Sequence, residues 1–236
     1  MSDEEEQSWV RWFVSQKDHE VFCKVSEWYY EDNFNLTGLS NFIPYYSLAL
    51  IMIRSKEYNE EFDKLSKEQL KIVDRASRVL FGLIHARFII TPAGTQLMLK
   101  KYEKGVFGTC PRVYCEFQPC LPVGLSDVPG QSSMKLFCPR CEKVYQPINP
   151  RHAQFDGAYF GTTFAHNLLN TSKDLKPLHP THRYVPRIYG FRISQKISRY
   201  CKNPEEKKKK NKKKKETEKN IEKIQKTSTI ETIEKK

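Results

Sequence analysis

Apolar residues recur every three or four positions through most of the first hundred residues, and the recurrence stops near Gly105. Trp9, Trp12 and Phe13 share one helical face behind Ser8, a residue type that caps helix N-termini, so residues 8–17 are predicted as a short helix. A second short helix is predicted over 25–32, followed by a loop anchored by Phe34, Leu36 and Leu39. Pro44 is expected to open a third helix running to about Arg54, with Tyr45, Leu48, Ile51 and Met52 at helical spacing. Residues 55–67 are charged with mixed sign and read as an exposed loop or a frayed helical extension. The longest pattern covers 67–87, where Leu70, Val73, Ala76, Val79, Leu80, Leu83 and Ile84 make a continuous stripe. Thr91-Pro92 supplies a cap and a first-turn proline for a last helix, which ends near Lys104-Gly105 because glycine suits the left-handed stop. Residues 8–105 are therefore predicted as an all-helical domain.

From Val106 onward Pro, Gly, Tyr and Cys replace the helical runs. Val113-Tyr114 and Lys143-Val-Tyr145 alternate as strand residues do, which predicts a small antiparallel β-ribbon over 106–161, with residues 124–130 as a loop inside it. Residues 162–201 hold a short helix over 162–169, a loop at His179-Pro-Thr-His182, and a hairpin turning near Gly190 with Tyr189 and Phe191 on either side. Lysines 207 to 215, interrupted only by Asn211, cannot pack into a core, so 202–236 is expected to be a disordered basic tail. Residues 1–7 form an acidic, flexible N-terminus. The fold class is α+β: helices first, then a cysteine-rich β domain, then a short C-terminal helix and hairpin.

The middle of the chain carries Cys110-Pro-Arg-Val-Tyr-Cys115 and Cys138-Pro-Arg-Cys141, with 22 residues between the pairs. Two tight turns facing each other can place four thiolates at tetrahedral corners about 2.3 Å from a metal ion. Thiolates suit zinc or an iron–sulfur centre; with one C-x2-C and no other sign of electron transfer, structural zinc is favoured. Four sulfurs leave no open position for a catalytic water. The competing readings are buried thiols or two disulfides, but core thiols do not usually come in paired turns, and disulfides need an oxidising compartment. Cys23, Cys120 and Cys201 fall outside the paired spacing; Cys120 is near enough in sequence to compete as a ligand, with poorer spacing.

Composition changes this picture in two places. The 236 residues carry a formal charge of +12, which suggests nucleic acid until it is divided: residues 202–236 hold 14 Lys against 7 Glu, leaving the body only +5. An odd count of seven cysteines and an acidic start without an apolar signal core imply a reducing cytosol or nucleus. No stretch approaches about 18 consecutive apolar residues, so no membrane span is expected. Gly-rich phosphate loops, nucleophile elbows and a kinase's metal-binding Asp motif are absent from the sequence, so no catalytic residue is nominated.

Taken together, several stretches resemble one family, the regulatory (beta) subunits of casein kinase II. They are Ser8-Trp9 with Trp12-Phe13, Phe34-Asn-Leu-Thr-Gly-Leu39, Leu80-Phe-Gly-Leu-Ile-His-Ala-Arg87, Gly108-Thr-Cys-Pro-Arg-Val-Tyr-Cys115, Leu121-Pro-Val-Gly-Leu-Ser-Asp127, Lys135-Leu-Phe-Cys-Pro-Arg-Cys141, Asp156-Gly-Ala-Tyr-Phe-Gly161 and Val185-Pro-Arg-Ile-Tyr-Gly-Phe191. The resemblance spans residues 5–200 and implies a non-enzyme, the scaffold of a tetramer with two catalytic alpha subunits that modulates the choice of protein substrates. It implies one zinc per chain on Cys110, Cys115, Cys138 and Cys141, a homodimer contact through Pro111, Val113, Tyr114 and Val144, and kinase docking through Ile188, Tyr189 and Phe191. It also marks Ser2, followed by Asp-Glu-Glu-Glu, as a phosphorylation site for an acidophilic kinase, and places the protein in cytoplasm and nucleus.

Three features depart from the family. The acidic loop that would bind polyamines is represented by a stretch from Ser55 to Asp63 with lower acid density, which puts that function in doubt. Ser47-Leu-Ala-Leu50 has Ser where a destruction-box arginine would stand, and the Lys tail is additional. The tail suits nuclear import, polyanion binding or no role at all. The rival reading is a nucleic-acid-binding zinc ribbon with a basic arm. Glu116, Asp127 and Glu142 interrupt any basic stripe on the ribbon, which counts against it.

Overall fold

The computed structural model describes residues 8–55, 62–171, 175–182 and 184–193. The chain divides into two compact units, Met1–His182 and Arg183–Lys236. Among the described residues of the first, six α-helices precede or flank a three-stranded sheet: α1 (Trp9–Ser15), α2 (Glu27–Glu31), α3 (Tyr46–Arg54), α4 (Lys67–Phe88), α5 (Pro92–Glu103), then β1 (Leu121–Val123), β2 (Lys135–Cys138), β3 (Lys143–Tyr145) and finally α6 (Phe164–Thr171). Helices and small sheets in this order give the α+β class that the pattern predicts. Among the described residues no helix is long and apolar enough to cross a membrane.

α4 is the central element. Ser66 accepts from Gln69 N–H while the Gln69 side chain accepts from Ser66 N–H, a reciprocal capping box that satisfies two otherwise unpaired donors. Its first turns are exposed, including Leu70, so the predicted stripe begins at Val73. Beyond Leu80 nearly every side is covered: Leu80, Phe81, Gly82, Leu83, Ile84, His85 and Phe88 are all buried. α3 packs on α4 through small residues. Ala49 and Ala76 are buried there, and Ser77 Oγ donates to Val73 O at 2.9 Å and to Ala49 O at 3.3 Å. Arg54, at the end of α3, reaches back to Tyr30 O and Glu31 O and so answers the open carbonyls of α2. α5 begins as expected, with Thr91 Oγ1 accepting from Gly94 N–H and Pro92 in the first turn.

Two local expectations are corrected. α3 starts at Tyr46, two residues after Pro44, because Leu39 and Ile43 anchor the preceding 3-10 turn and Tyr45 must reverse the chain in a left-handed conformation. Val113-Tyr114 is not strand but part of a 3-10 turn, Val113–Cys115. The reason is reach: an extended chain would separate Cys110 from Cys115 by about 16 Å, so the two thiols can meet only if the chain turns between them.

The sheet is antiparallel in the order β1-β2-β3, with Leu121 opposite Phe137 and Phe137 opposite Val144. One core runs through the whole unit, from Val10 and Phe22 through Phe81 and Met98 to Leu121, Leu136, Phe160 and Leu168. The second unit contains a hairpin of β4 (Arg187–Ile188) and β5 (Phe191–Arg192). Residues 1–7 and 194–236, which include Ser2 and the Lys tail, lie outside the described residues.

Candidate metal centre and docking hairpin

Each cysteine pair is presented by a turn. In the first, Cys110 N–H donates to Gln118 O at 2.8 Å, closing a loop whose far side passes through left-handed Glu116 and Phe117. In the second, Glu142 N–H donates to Cys138 O at 2.9 Å, again with a left-handed residue, Glu142, at the exit. The four thiol sulfurs of Cys110, Cys115, Cys138 and Cys141 come within 4.8 Å of one another, and all four residues are buried. Cys110 Sγ and Cys141 Sγ are 3.9 Å apart. A tetrahedral site with bonds of about 2.3 Å spaces its sulfurs about 3.8 Å apart, so the donor set fits a thiolate-bound metal. It does not fit a disulfide, which needs sulfurs about 2 Å apart, and the four are free cysteines.

The electrostatics of these thiols are uneven. Burial pushes the Cys110 and Cys115 thiols up, so neither ionises readily without a cation. Cys138 is drawn down to about 4 by hydrogen bonding from the Cys120 side chain and from the backbone around Arg140 and Cys141. A bound dication would reverse the cost for Cys110 and Cys115, because a coordinating thiol is deprotonated outright.

Supporting residues that the sequence pattern does not single out surround these sulfurs. Tyr145 Oη lies 3.3 Å from Cys141 Sγ and can donate to it. Arg140 Nη1 donates to Cys115 O at 3.2 Å and to Glu116 Oε2 at 2.9 Å, tying one turn to the other. Gln118 Nε2 donates to Tyr102 Oη at 3.0 Å and links the first turn to α5. In outline the signal was present: Arg140 lies between Cys138 and Cys141, and Tyr145 follows them. Their partners depend on how the turns face each other, which spacing alone does not show. A second group, Asp18, Glu20 and His152, also gathers potential ligand atoms, but Arg151 and Asn149 already occupy the Asp18 carboxylate.

Of the residues assigned by resemblance to a self-contact, Pro111, Val113, Tyr114 and Val144 are all exposed, Val113 to 85%. Phe117, on the same turn and 82% exposed, belongs with them by its surface character. On the hairpin, Tyr189 and Gly190 both take positive φ, 48° and 83°, the two-residue turn that matches strand twist. Ile188 pairs with Phe191, and Ile193 N–H donates to Pro186 O. Tyr189 is 97% exposed and Phe191 79%.

A helical body sharing its core with a ribbon of four clustered, buried thiols defines a class: proteins with a cysteine cluster that could hold a metal ion built into their fold. Comparison with known proteins then supplies the family. Residues 8–192 match the family described as casein kinase II regulatory subunit. The chain is 46% identical over 191 residues to casein kinase II subunit beta of Dictyostelium discoideum, covering 81% of this chain and 70% of that one. It is 44% identical over 193 residues to casein kinase II subunit beta' of Drosophila melanogaster, covering 82% and 87%. It is 47% identical over 190 residues to casein kinase II subunit beta of Schizosaccharomyces pombe, covering 80% of each. The chain belongs to the casein kinase II regulatory-subunit family, and is a regulatory subunit rather than an enzyme.

Proposed function

We propose that this protein scaffolds casein kinase II as a zinc-dependent homodimer that binds and stabilises two catalytic alpha subunits and modulates which protein substrates they meet. The observation that carries the docking part is the hairpin tip. A tyrosine in left-handed backbone costs about 1 kcal/mol, and full exposure of its ring gains nothing in return within this chain. Such a group is suited to a partner. Ile188, Tyr189 and Phe191 are the residues we assign to the catalytic subunit.

Zinc is the metal we assign to Cys110, Cys115, Cys138 and Cys141, since four sulfurs in a closed site suit a structural rather than a reactive ion. When bound, it supplies a cross-link between the two turns. Exposed Pro111, Val113, Tyr114 and Val144 would be buried against a second copy, because a ribbon of this size has no further surface of its own to cover them. Ser2 is assigned as a site phosphorylated by the assembled kinase, and the protein to cytoplasm and nucleus. Nucleic acid would bind only through the Lys tail, without sequence preference and in a salt-sensitive way.

Calorimetric titration against a casein kinase II catalytic subunit tests the proposal. Wild type should bind one catalytic subunit per chain. Tyr189→Ala with Phe191→Ala should weaken binding by about 2 kcal/mol or more per ring, or about a thousandfold together. Equal heats for wild type and double variant would remove the hairpin from the interface.

A further inference from the structure

A fifth thiol lies beside the metal centre. β1 and β2 pair antiparallel with Leu121 opposite Phe137, Pro122 opposite Leu136 and Val123 opposite Lys135. Continuing that register by one residue sets Cys120 directly opposite Cys138. The backbone shows which type of pair this is. Cys120 N–H donates to Gly108 O at 3.0 Å, and Cys138 O accepts from Glu142 N–H at 2.9 Å. Each residue therefore directs a backbone polar group to the side away from the other. In an antiparallel ladder that is the signature of a non-hydrogen-bonded pair, with Cα atoms about 4.5 Å apart and side chains at their closest. A disulfide accepts Cα separations of about 4.4–6.8 Å. The Cys120 thiol donates weakly to Gln118 O at 3.7 Å. Cys120 is buried, as is Cys138, and it stands outside the four-sulfur set.

We propose that Cys120 is a resolving cysteine for the metal centre: under oxidation it forms a cross-strand disulfide with Cys138, which removes one ligand and releases the metal. This rests on the reading of the four cysteines as a metal site. With hydrogen peroxide as oxidant the chemistry balances. The Cys138 sulfur attacks one peroxide oxygen, the O–O bond breaks, and hydroxide leaves and is protonated to water, giving a sulfenic acid. The Cys120 sulfur then attacks the Cys138 sulfur, the S–S bond forms, the S–O bond breaks, and the departing hydroxide takes up the Cys120 proton as a second water. Two thiols lose two electrons and peroxide gains them; the metal keeps its oxidation state and loses a bond. Thiol reductants reverse the step by exchange at the disulfide.

The test uses the full-length, metal-loaded protein. Metal content is measured first, then release into a chromogenic chelator after addition of hydrogen peroxide, with peptide mass spectrometry to locate the disulfide. The expected result is full metal occupancy at rest in wild type and in Cys120→Ser, a Cys120–Cys138 disulfide in oxidised wild type, and release about tenfold slower in the variant. Disulfides confined to Cys110, Cys115, Cys138 and Cys141, with equal release rates, would overturn the proposal while leaving the metal site intact. A resting protein without metal would overturn the metal-site reading and the release step with it. The wild-type disulfide map needs no variant, so a poorly folding Cys120→Ser does not affect that part of the test.

Discussion

His85 uses both of its ring nitrogens. Nδ1–H donates to Tyr159 O at 2.8 Å and Nε2 accepts from Cys23 N–H at 3.2 Å, a pattern that fits the neutral ring. Burial holds its pKa down at about 4, with the Lys101 charge adding to the effect. An unfolded histidine protonates near 6.5, so the unfolded state binds more protons between 6.5 and 4. The stability associated with this group is complete above about 6.5 and is lost as pH falls toward 4, by up to about 3 kcal/mol. Urea unfolding at several pH values should show a slope in this window shallower by about one proton in His85→Gln than in wild type. Equal slopes would mean that His85 titrates in the folded protein. The residue sits within Leu80–Arg87, a stretch that carries the family resemblance, and its role there is a structural joint between α4 and the 157–159 turn. Gly124 and Gly157, from two other such stretches, meet in the same way: a Cβ on Gly124 would fall 2.3 Å from Gly157 O.

At the level of elements, α4 was legible from its periodicity, and α5 because capping chemistry and periodicity agree at Thr91 and Pro92. The turn at Val113–Cys115 was not, since local alternation says strand while the need to bring Cys110 and Cys115 together says turn, and the second dominates. Gly82 shows a similar limit. In an exposed helix Gly→Ala would gain about 1 kcal/mol. Here a Cβ would meet the Tyr159 ring at 2.2 Å, in a well-packed region where displacing the ring costs about 1–3 kcal/mol. Gly82→Ala should therefore lower stability in denaturant titration, by about 1 kcal/mol net. A stabilised variant would show that the ring moves aside freely. The four thiols were legible from spacing alone; Tyr145, Arg140 and Cys120 were not, because their roles come from register and from how two turns face each other.

On the scale of the whole molecule, the ribbon and the helices share one core, in which Cys115 and Cys138 are buried alongside Phe81 and Phe160. Loss of a metal ion held by these thiols should therefore be felt beyond the ribbon. Removing it with a chelator under reducing conditions should lower the midpoint of thermal unfolding by roughly 10 °C or more, as expected when a few kcal/mol are lost from a domain of this size. An unchanged midpoint would mean that the thiols pack without it.

The most direct measurement is native mass spectrometry of this protein mixed with a casein kinase II catalytic subunit. The account predicts one dominant assembly containing two copies of this chain, two catalytic subunits and two zinc ions. An assembly with a single copy of this chain, one without zinc, or no assembly at all would contradict it.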